Sequence, residues 1–418
     1  MAITLDSISN GLTKVLLPYI QNNFSTATPL LSNLKRNDGV SFMNDNFYAP
    51  IRTSRHGGVT NLANDGNSLV NSKASVGQAS VAKKIVTGTF DISKLTLDAT
   101  RTAKGAVEPQ LTFQAKSLAD DFGKYVNRQY YSDGYGVVAE VLGSVSASVF
   151  SVQLPSALGA SVNDARVADV YGTVNGDIGP TEYLFADQVI GFGSAAGSGV
   201  GTISSTTGTS VTLTAAIPAN VVGSAVVTIL DGSGTGSGTS EIQGVRLALS
   251  SATANYAGVA RSSQGWTPQL GTASGALTLS AMTSKYLAAR KFSGMNDRFA
   301  IFVNTTLFDK YGALLQALRR SVNETDLVGG WTGLEFAAGA GKVGVFLDYD
   351  VPDGEVIIIN LDSWTVCEVS PMSFLEGPGE SALMRRPDKI TYQATMVWFT
   401  NLLCRAPGAN ARLTQKTA

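Results

Sequence analysis

The longest helical pattern in the chain lies in residues 108–131, where Leu111, Ala115, Leu118, Phe122, Tyr125, Val126 and Tyr130 recur at three- and four-residue steps. Pro109 suits the first turn, whose N–H groups have no intrahelical acceptor, and Gly134 suits the exit. Lys116, Asp120, Asp121, Lys124 and Arg128 fall on the opposite side, so one stripe is to be buried. About 24 residues at about 1.5 Å each give a rod of about 36 Å. The flanking segments read as β or extended, which predicts a rod under a sheet rather than a member of a helical bundle.

Ahead of the helix, residues 1–46 sustain no period. Ile8, Leu12, Val15, Leu16 and Tyr19 make an amphipathic turn or two before Pro18 and Pro29 interrupt, which predicts an arm that docks on another surface. Residues 47–107 carry two β-patterned branches, 47–53 and 81–97, around a polar stretch at 61–80 rich in Gly, Asn and Ser. The pattern predicts a long hairpin, and a two-stranded ribbon is marginal in water without a partner surface.

Past the helix the character changes. Short β runs at 136–142, 149–154, 201–204, 210–215 and 221–230 alternate with Gly, Ser and Asn turns. Residues 136–250 therefore read as a small β-sandwich or barrel inserted into a parent domain. Residues 251–298 return to that parent, with Leu279, Met282, Tyr286 and Leu287 predicting a helix. In 299–370 a strand ends at Val303, and Asn304 is placed to cap a helix that turns Leu307, Phe308, Tyr311, Leu314, Leu315 and Leu318 inward. Strands at 344–347 and 355–361 follow, joined across Asp350-Val351-Pro352-Asp353-Gly354. In 371–418 Ile390, Tyr392, Ala394, Met396 and Trp398 alternate with Thr391, Gln393 and Thr395, the signature of a half-buried strand. The fold class is α+β.

Composition adds one inference. Charged residues are only 15% of the chain, against about 25% in an ordinary globular protein. So little solvated charge implies that neighbouring subunits cover much of the surface. The net charge of −1 excludes a global field for nucleic acid, but charge is segregated along the chain. Residues 47–104 and 281–320 are basic, while 136–250 and 321–380 are acidic. Alternating blocks fit surfaces that meet between copies.

Two cysteines, Cys367 and Cys404, make no disulfide framework and suit a reducing compartment. The N-terminus reads as lacking a secretory signal, since Lys14 sits inside it and Pro18 stops its apolar run. Apolar clusters such as 356–359 are strand-sized, so no membrane span is expected. The protein is expected to fold in a cytoplasm.

No motif in the sequence assembles catalytic chemistry. His56, followed by Gly57 and Gly58, is a loop histidine with no orienting carboxylate in sight. One His and two distant Cys give no zinc spacing. Gly191-Phe192-Gly193 leads into strand and turn rather than the helix a dinucleotide site requires. Gly339-Ala340-Gly341-Lys342 has a valine where a phosphate loop needs Ser or Thr. Asp348, Asp350 and Asp353 lack calcium-loop spacing and read as an ordinary acidic turn. No catalytic residue, cofactor or metal site is expected.

The order of parts resembles a tailed-bacteriophage major capsid protein of the Hong Kong phage type. The matching stretches are the arm at 1–46, the extended hairpin loop at 47–107, the spine helix at 108–135 and the axial domain at 299–370 with its run 346–354. The peripheral-domain strand and tail at 371–418 match as well, and Tyr256-Ala257-Gly258-Val259-Ala260-Arg261 with Trp266 looks like re-entry into the peripheral domain. The insertion at 136–250 departs from the minimal pattern. The resemblance implies a structural subunit without catalysis that assembles as hexamers and pentamers into an icosahedral shell around phage DNA. Scaffolding, portal and decoration proteins are its implied partners, with DNA met non-specifically on the inner face and no membrane. It implies a virion location after assembly in the host bacterial cytoplasm. Some members crosslink a lysine to an asparagine; Lys73, Lys83 and Lys84 lie in the corresponding loop, but no asparagine or acid partner matches, and no crosslink is expected. The expected intersubunit contacts are Arg52, Arg55, Lys83 and Lys84 on the hairpin, and Asp120, Asp121, Lys124 and Arg128 on the helix. Two other readings are an encapsulin-like nanocompartment shell and, from the Ser/Thr/Gly-rich middle, a surface adhesin. The long helix and the N-terminus weigh against the adhesin.

Overall fold

A computed structural model describes residues 29–59, 61, 72–95, 110–134, 136–146, 148–153, 181, 183–192, 199–218, 221, 226–229, 241–251, 253–263, 265–294, 296–317, 324–327, 331–338, 341–352, 354–376, 383–386 and 389–417. The expectations for the arm ahead of residue 29, for Pro109, Leu318 and Asp353, and for the hairpin tip at 62–71 lie outside these residues.

The spine helix runs over Gln110–Tyr131. Ala115, Ala119, Phe122, Val126 and Tyr130 form its buried stripe, with Leu118 and Tyr125 partly buried beside it. Gly134 follows at φ +85°, a left-handed exit that a side chain would strain. Tyr131 to Gly134 are mostly buried, and a Cβ on Gly244 would sit 2.4 Å from the carbonyl oxygens of both Gln129 and Ser132. The segment around 244 thus closes directly over the helix end.

The helix lies against a six-stranded sheet built around Thr391–Cys404. On one edge this strand pairs antiparallel with Lys84–Ser93 from Thr391↔Ser93 to Thr400↔Lys84. Its other edge takes Trp364–Glu368, Ser373–Phe374 and Leu383–Arg385, and Lys35–Arg36 adds in parallel beyond Trp364–Glu368. Helix and sheet approach closely at Gly88, where a Cβ would lie 2.9 Å from Leu118 Cδ1. The alternation expected in the long strand is present: Ala394, Met396 and Trp398 are buried between half-buried neighbours. From Thr400 onward every residue is buried, because both faces are covered there. Ile390, expected inward, is 76% exposed, since it precedes the paired strand and lies past the sheet's end.

The hairpin differs from its periodicity. Asn46–Arg52 pairs with Val76–Ala82, and Ser41–Met43 adds a third strand through a turn at Asn44 and Asp45, both with positive φ. The second branch expected at 81–97 is divided. At Lys83 the backbone N–H donates to Asp45 O, and the chain leaves the ribbon to join the main sheet. The β-branched run Ile85-Val86-Thr87 finds a longer partner in Thr391–Cys404 than in the hairpin.

A seven-stranded sheet follows the order Gln269–Gly271, Ala411–Leu413, Val356–Asn360, Phe299–Val303, Gly341–Leu347, Trp331–Ala338 and Glu324–Leu327. Its two central strands are buried at every position. The helices Leu279–Arg290 and Thr305–Ala317 cover one face through Met282, Tyr286, Leu307, Tyr311 and Leu315. Ala300, Phe302, Phe346, Ile357 and Ile359 on the other face join the spine-helix core. Asn304 Oδ1 accepts from Leu307 N at 3.1 Å, the N-cap expected from the sequence.

Between the spine helix and the second sheet, six antiparallel strands close into a barrel: Val137–Ser146, Val149–Gln153, Ser210–Leu213, Val200–Thr207, Val189–Phe192 and Val226–Ile229. Its interior is filled by side chains, among them Val141, Phe150, Ile190, Phe192, Ile203, Val211 and Val227. Phe150 and Phe192 meet edge to face with ring centroids 5.2 Å apart.

Candidate assembly surface and buried junction

The charged residues of the chain divide between exposed faces and the joints between its parts. Arg52 and Arg55 are exposed near the open end of the ribbon, where Arg52 Nε donates to Ser54 O at 2.9 Å. Lys83 is half-buried and pairs with Asp45 at 2.6 Å within its own subunit. Lys84 is half-buried, and burial lowers its pKa from the ordinary lysine value. Asp120, Asp121 and Lys124 are exposed along the outer side of the spine helix. The ribbon thus presents basic groups and the helix a mixed acidic face.

Arg128 departs from the expectation of an outward polar face. It is 7% exposed and forms an ion pair with Glu241. Its guanidinium also lies over the rings of Tyr125 and Tyr183, at 5.1 and 5.2 Å from their centroids. The cause is the last part of the helix, residues 126–131, which is buried all round by neighbouring segments. The helical period places Arg128 with Lys124, but the segment around Glu241 folds over that side.

Beside this ion pair is a cluster with no local sequence signal. Asp348, at the end of the strand Gly341–Leu347, accepts from Asn127 Nδ2 at 3.0 Å and from Tyr131 OH at 3.0 Å. Asp350 accepts from the same Asn127 Nδ2 at 2.6 Å and from Tyr183 OH. Burial, and then the neighbouring Asp350 charge, push the Asp348 carboxyl up to about 7. Asp350 is also raised by burial, offset by the Tyr183 and Asn127 hydrogen bonds and by Arg128 and Lys124. The acidic turn expected at 348–353 is thus a buried joint over its described part. Asn127 and Tyr183 lie more than 160 residues away in sequence, and only tertiary structure brings them together.

The remaining sequence candidates resolve as structure. His56 is exposed and its Nδ1 accepts from Gly58 N at 3.1 Å. Gly191 and Phe192 are barrel-strand residues, while Gly193 lies outside the described residues. Gly341 and Lys342 open a strand paired with Ala338 and Ala337, and Gly339 and Ala340 lie outside. Cys367 and Cys404 are buried free thiols, each pushed up to about 12 by burial, which leaves them unreactive. Among the described residues no group of three or more His, Cys, Asp or Glu could hold a metal ion, and no helix is long and apolar enough to cross a membrane.

No family model and no curated protein matches the chain. Solved structures do. A capsid subunit of cyanophage A-1(L) superposes over 94% of this chain and 94% of its own, with a TM-score of 0.52 at 14% identity. An encapsulin from Synechococcus elongatus PCC 7942 covers 94% and 89%, with a TM-score of 0.46 at 10% identity. The capsid of a native GTA particle covers 94% and 91%, with a TM-score of 0.45 at 10% identity. The first of these places the chain in the α+β fold of phage capsid subunits, spanning nearly the whole of both chains.

Proposed function

We propose that this chain is the major subunit of an icosahedral phage head, a structural protein that builds a shell by repeating weak, complementary contacts. The observation that carries the reading is the near end-to-end correspondence with the cyanophage capsid subunit. In this reading the spine helix and the six-stranded sheet form the peripheral domain. The seven-stranded sheet with its two covering helices forms the axial domain near the capsomer centre, and the barrel is an insertion between them. The three-stranded ribbon is the extended loop laid over a neighbouring subunit, with Arg52 and Arg55 near its outer end. Hexamers and pentamers of the chain enclose DNA, which meets the inner face without sequence preference. Scaffolding, portal and decoration proteins complete the virion, assembled in the host cytoplasm.

Electron microscopy of the purified full chain tests this. Uniform closed shells are expected, and small monodisperse oligomers under all assembly conditions would refute it. Shells isolated from the native source should hold DNA; a single enriched protein cargo would reassign the chain to a nanocompartment shell.

A further inference from the structure

Three structural units meet at the C-terminal half of the spine helix. The helix contributes Asn127, Arg128 and Tyr131, the segment entering the barrel contributes Tyr183, and the second sheet contributes Asp348 and Asp350. We propose that Asp348 and Asp350 form a proton-gated latch which seats the second sheet and the barrel on the spine helix, holding at low pH and loosening as pH rises. The latch stands on the subunit's own geometry, whether or not the chain builds a shell.

Geometry and charge both carry this. A single amide nitrogen, Asn127 Nδ2, donates to an oxygen of each carboxylate, at 3.0 and 2.6 Å. The two acids are thereby drawn together, Asp348 buried and Asp350 half-buried, where paired negative charge is costly. The backbone N–H of Asp350 also donates to Asp348 Oδ1 at 3.1 Å, which fixes the turn between them. The charged groups facing the pair from the helix are Arg128 and Lys124. Arg128 is already engaged by Glu241, which comes from the segment after the barrel, and Lys124 is exposed. With both aspartates ionised, the junction sets three carboxylates against one buried guanidinium. One proton on the pair relieves that imbalance and still leaves acceptors for Tyr131 and Tyr183.

The sign follows from where the proton is held. Asp348 titrates near 7 in the closed junction and near its ordinary value of 3.8 when opened to water. The closed state therefore binds more protons between these values, and closure weakens as pH climbs through that window. The closed junction has lost half of this proton near 7 and is at its loosest about one pH unit above that.

Hydrogen–deuterium exchange of the full chain, corrected for intrinsic rates, tests the latch on peptides covering 183–192 and 344–352. Opening should increase at least about tenfold from about pH 5 to about pH 8, while a reference peptide in the ribbon, Val76–Ala82, stays constant. In Asp350→Asn, which removes the like charge but keeps an acceptor for Tyr183, the pH dependence should shrink but persist, because burial still raises the Asp348 carboxyl; in Asp348→Asn most of it should be lost. A pH-independent wild type overturns the proposal, as does a variant that keeps the full wild-type slope. Should either variant fail to fold by circular dichroism, the other carries the comparison, and the wild-type profile alone remains decisive.

Discussion

Glu355 is held between two guanidinium groups in the interior. Arg412 grips it with Nε and one terminal nitrogen, both at 3.0 Å, and Arg246 approaches Oε1 at 3.0 Å. All three side chains are under 4% exposed. Removing the charge leaves two buried cations facing a neutral amide, so Glu355→Gln should lower unfolding free energy by about 3–5 kcal/mol. Arg386→Ala, which breaks a pair with Asp91 exposed on both sides, should cost no more than about 1 kcal/mol. Denaturant midpoints of the two variants measured side by side decide between these magnitudes. The contrast also marks a limit of reading charge from sequence. Arg246, Glu241 and Glu355 belong to blocks, and Arg128 to a helix face, that look solvated or intersubunit when counted along the chain, yet all four are internal. A charge count records sign and spacing but not which segments later fold across a helix end.

At the scale of elements, legibility followed the number of faces an element buries. The spine helix and the strand Thr391–Cys404 bury one face for much of their length, so their periods of 3.6 and 2 were readable from residues such as Phe122, Val126, Ala394 and Trp398. Val356–Asn360 is buried on both faces, and its apolar run fixes a strand without saying what covers it. Glu324–Leu327, Trp331–Ala338 and Trp364–Glu368 gave too little alternation to stand out and are defined by their partners. The same difference sets energetics. Ile358 is fully buried with Ile301 and Val303 under the two covering helices, so Ile358→Ala should cost about 2–5 kcal/mol. Ile390 is exposed past the end of the first sheet, and Ile390→Thr should stay within about 0.5 kcal/mol of wild type. Equilibrium unfolding in denaturant reads both, and equal losses at the two positions would contradict the burial assigned here.

For the whole molecule, the question is which charges lie on the surface that a neighbouring copy would meet. Lys83 is tied to Asp45 in its own subunit and Lys84 is half-buried, so reversing either would disturb folding as well as contact. Arg52 and Arg55 are exposed on the ribbon, and Asp120 and Asp121 are exposed on the helix. If ribbon and helix of neighbouring subunits meet, Arg52→Glu with Arg55→Glu should abolish or slow shell formation while leaving the subunit's unfolding midpoint within about 0.5 kcal/mol of wild type. Exposed charges act over about 8 Å at physiological ionic strength, so the wild-type assembly rate should fall as salt rises, and the double variant should lose that dependence. Asp120→Lys with Asp121→Lys in the same chain should restore assembly, because the complementary pairing returns with its signs exchanged. Light scattering follows the rate, and negative-stain microscopy verifies that the particles are closed. Rescue by the second pair is the discriminating result: a ribbon that merely needed arginine for its own fold would gain nothing from charges on a distant helix. Normal assembly of the first double variant would remove these arginines from the contact and leave apolar burial to drive the shell.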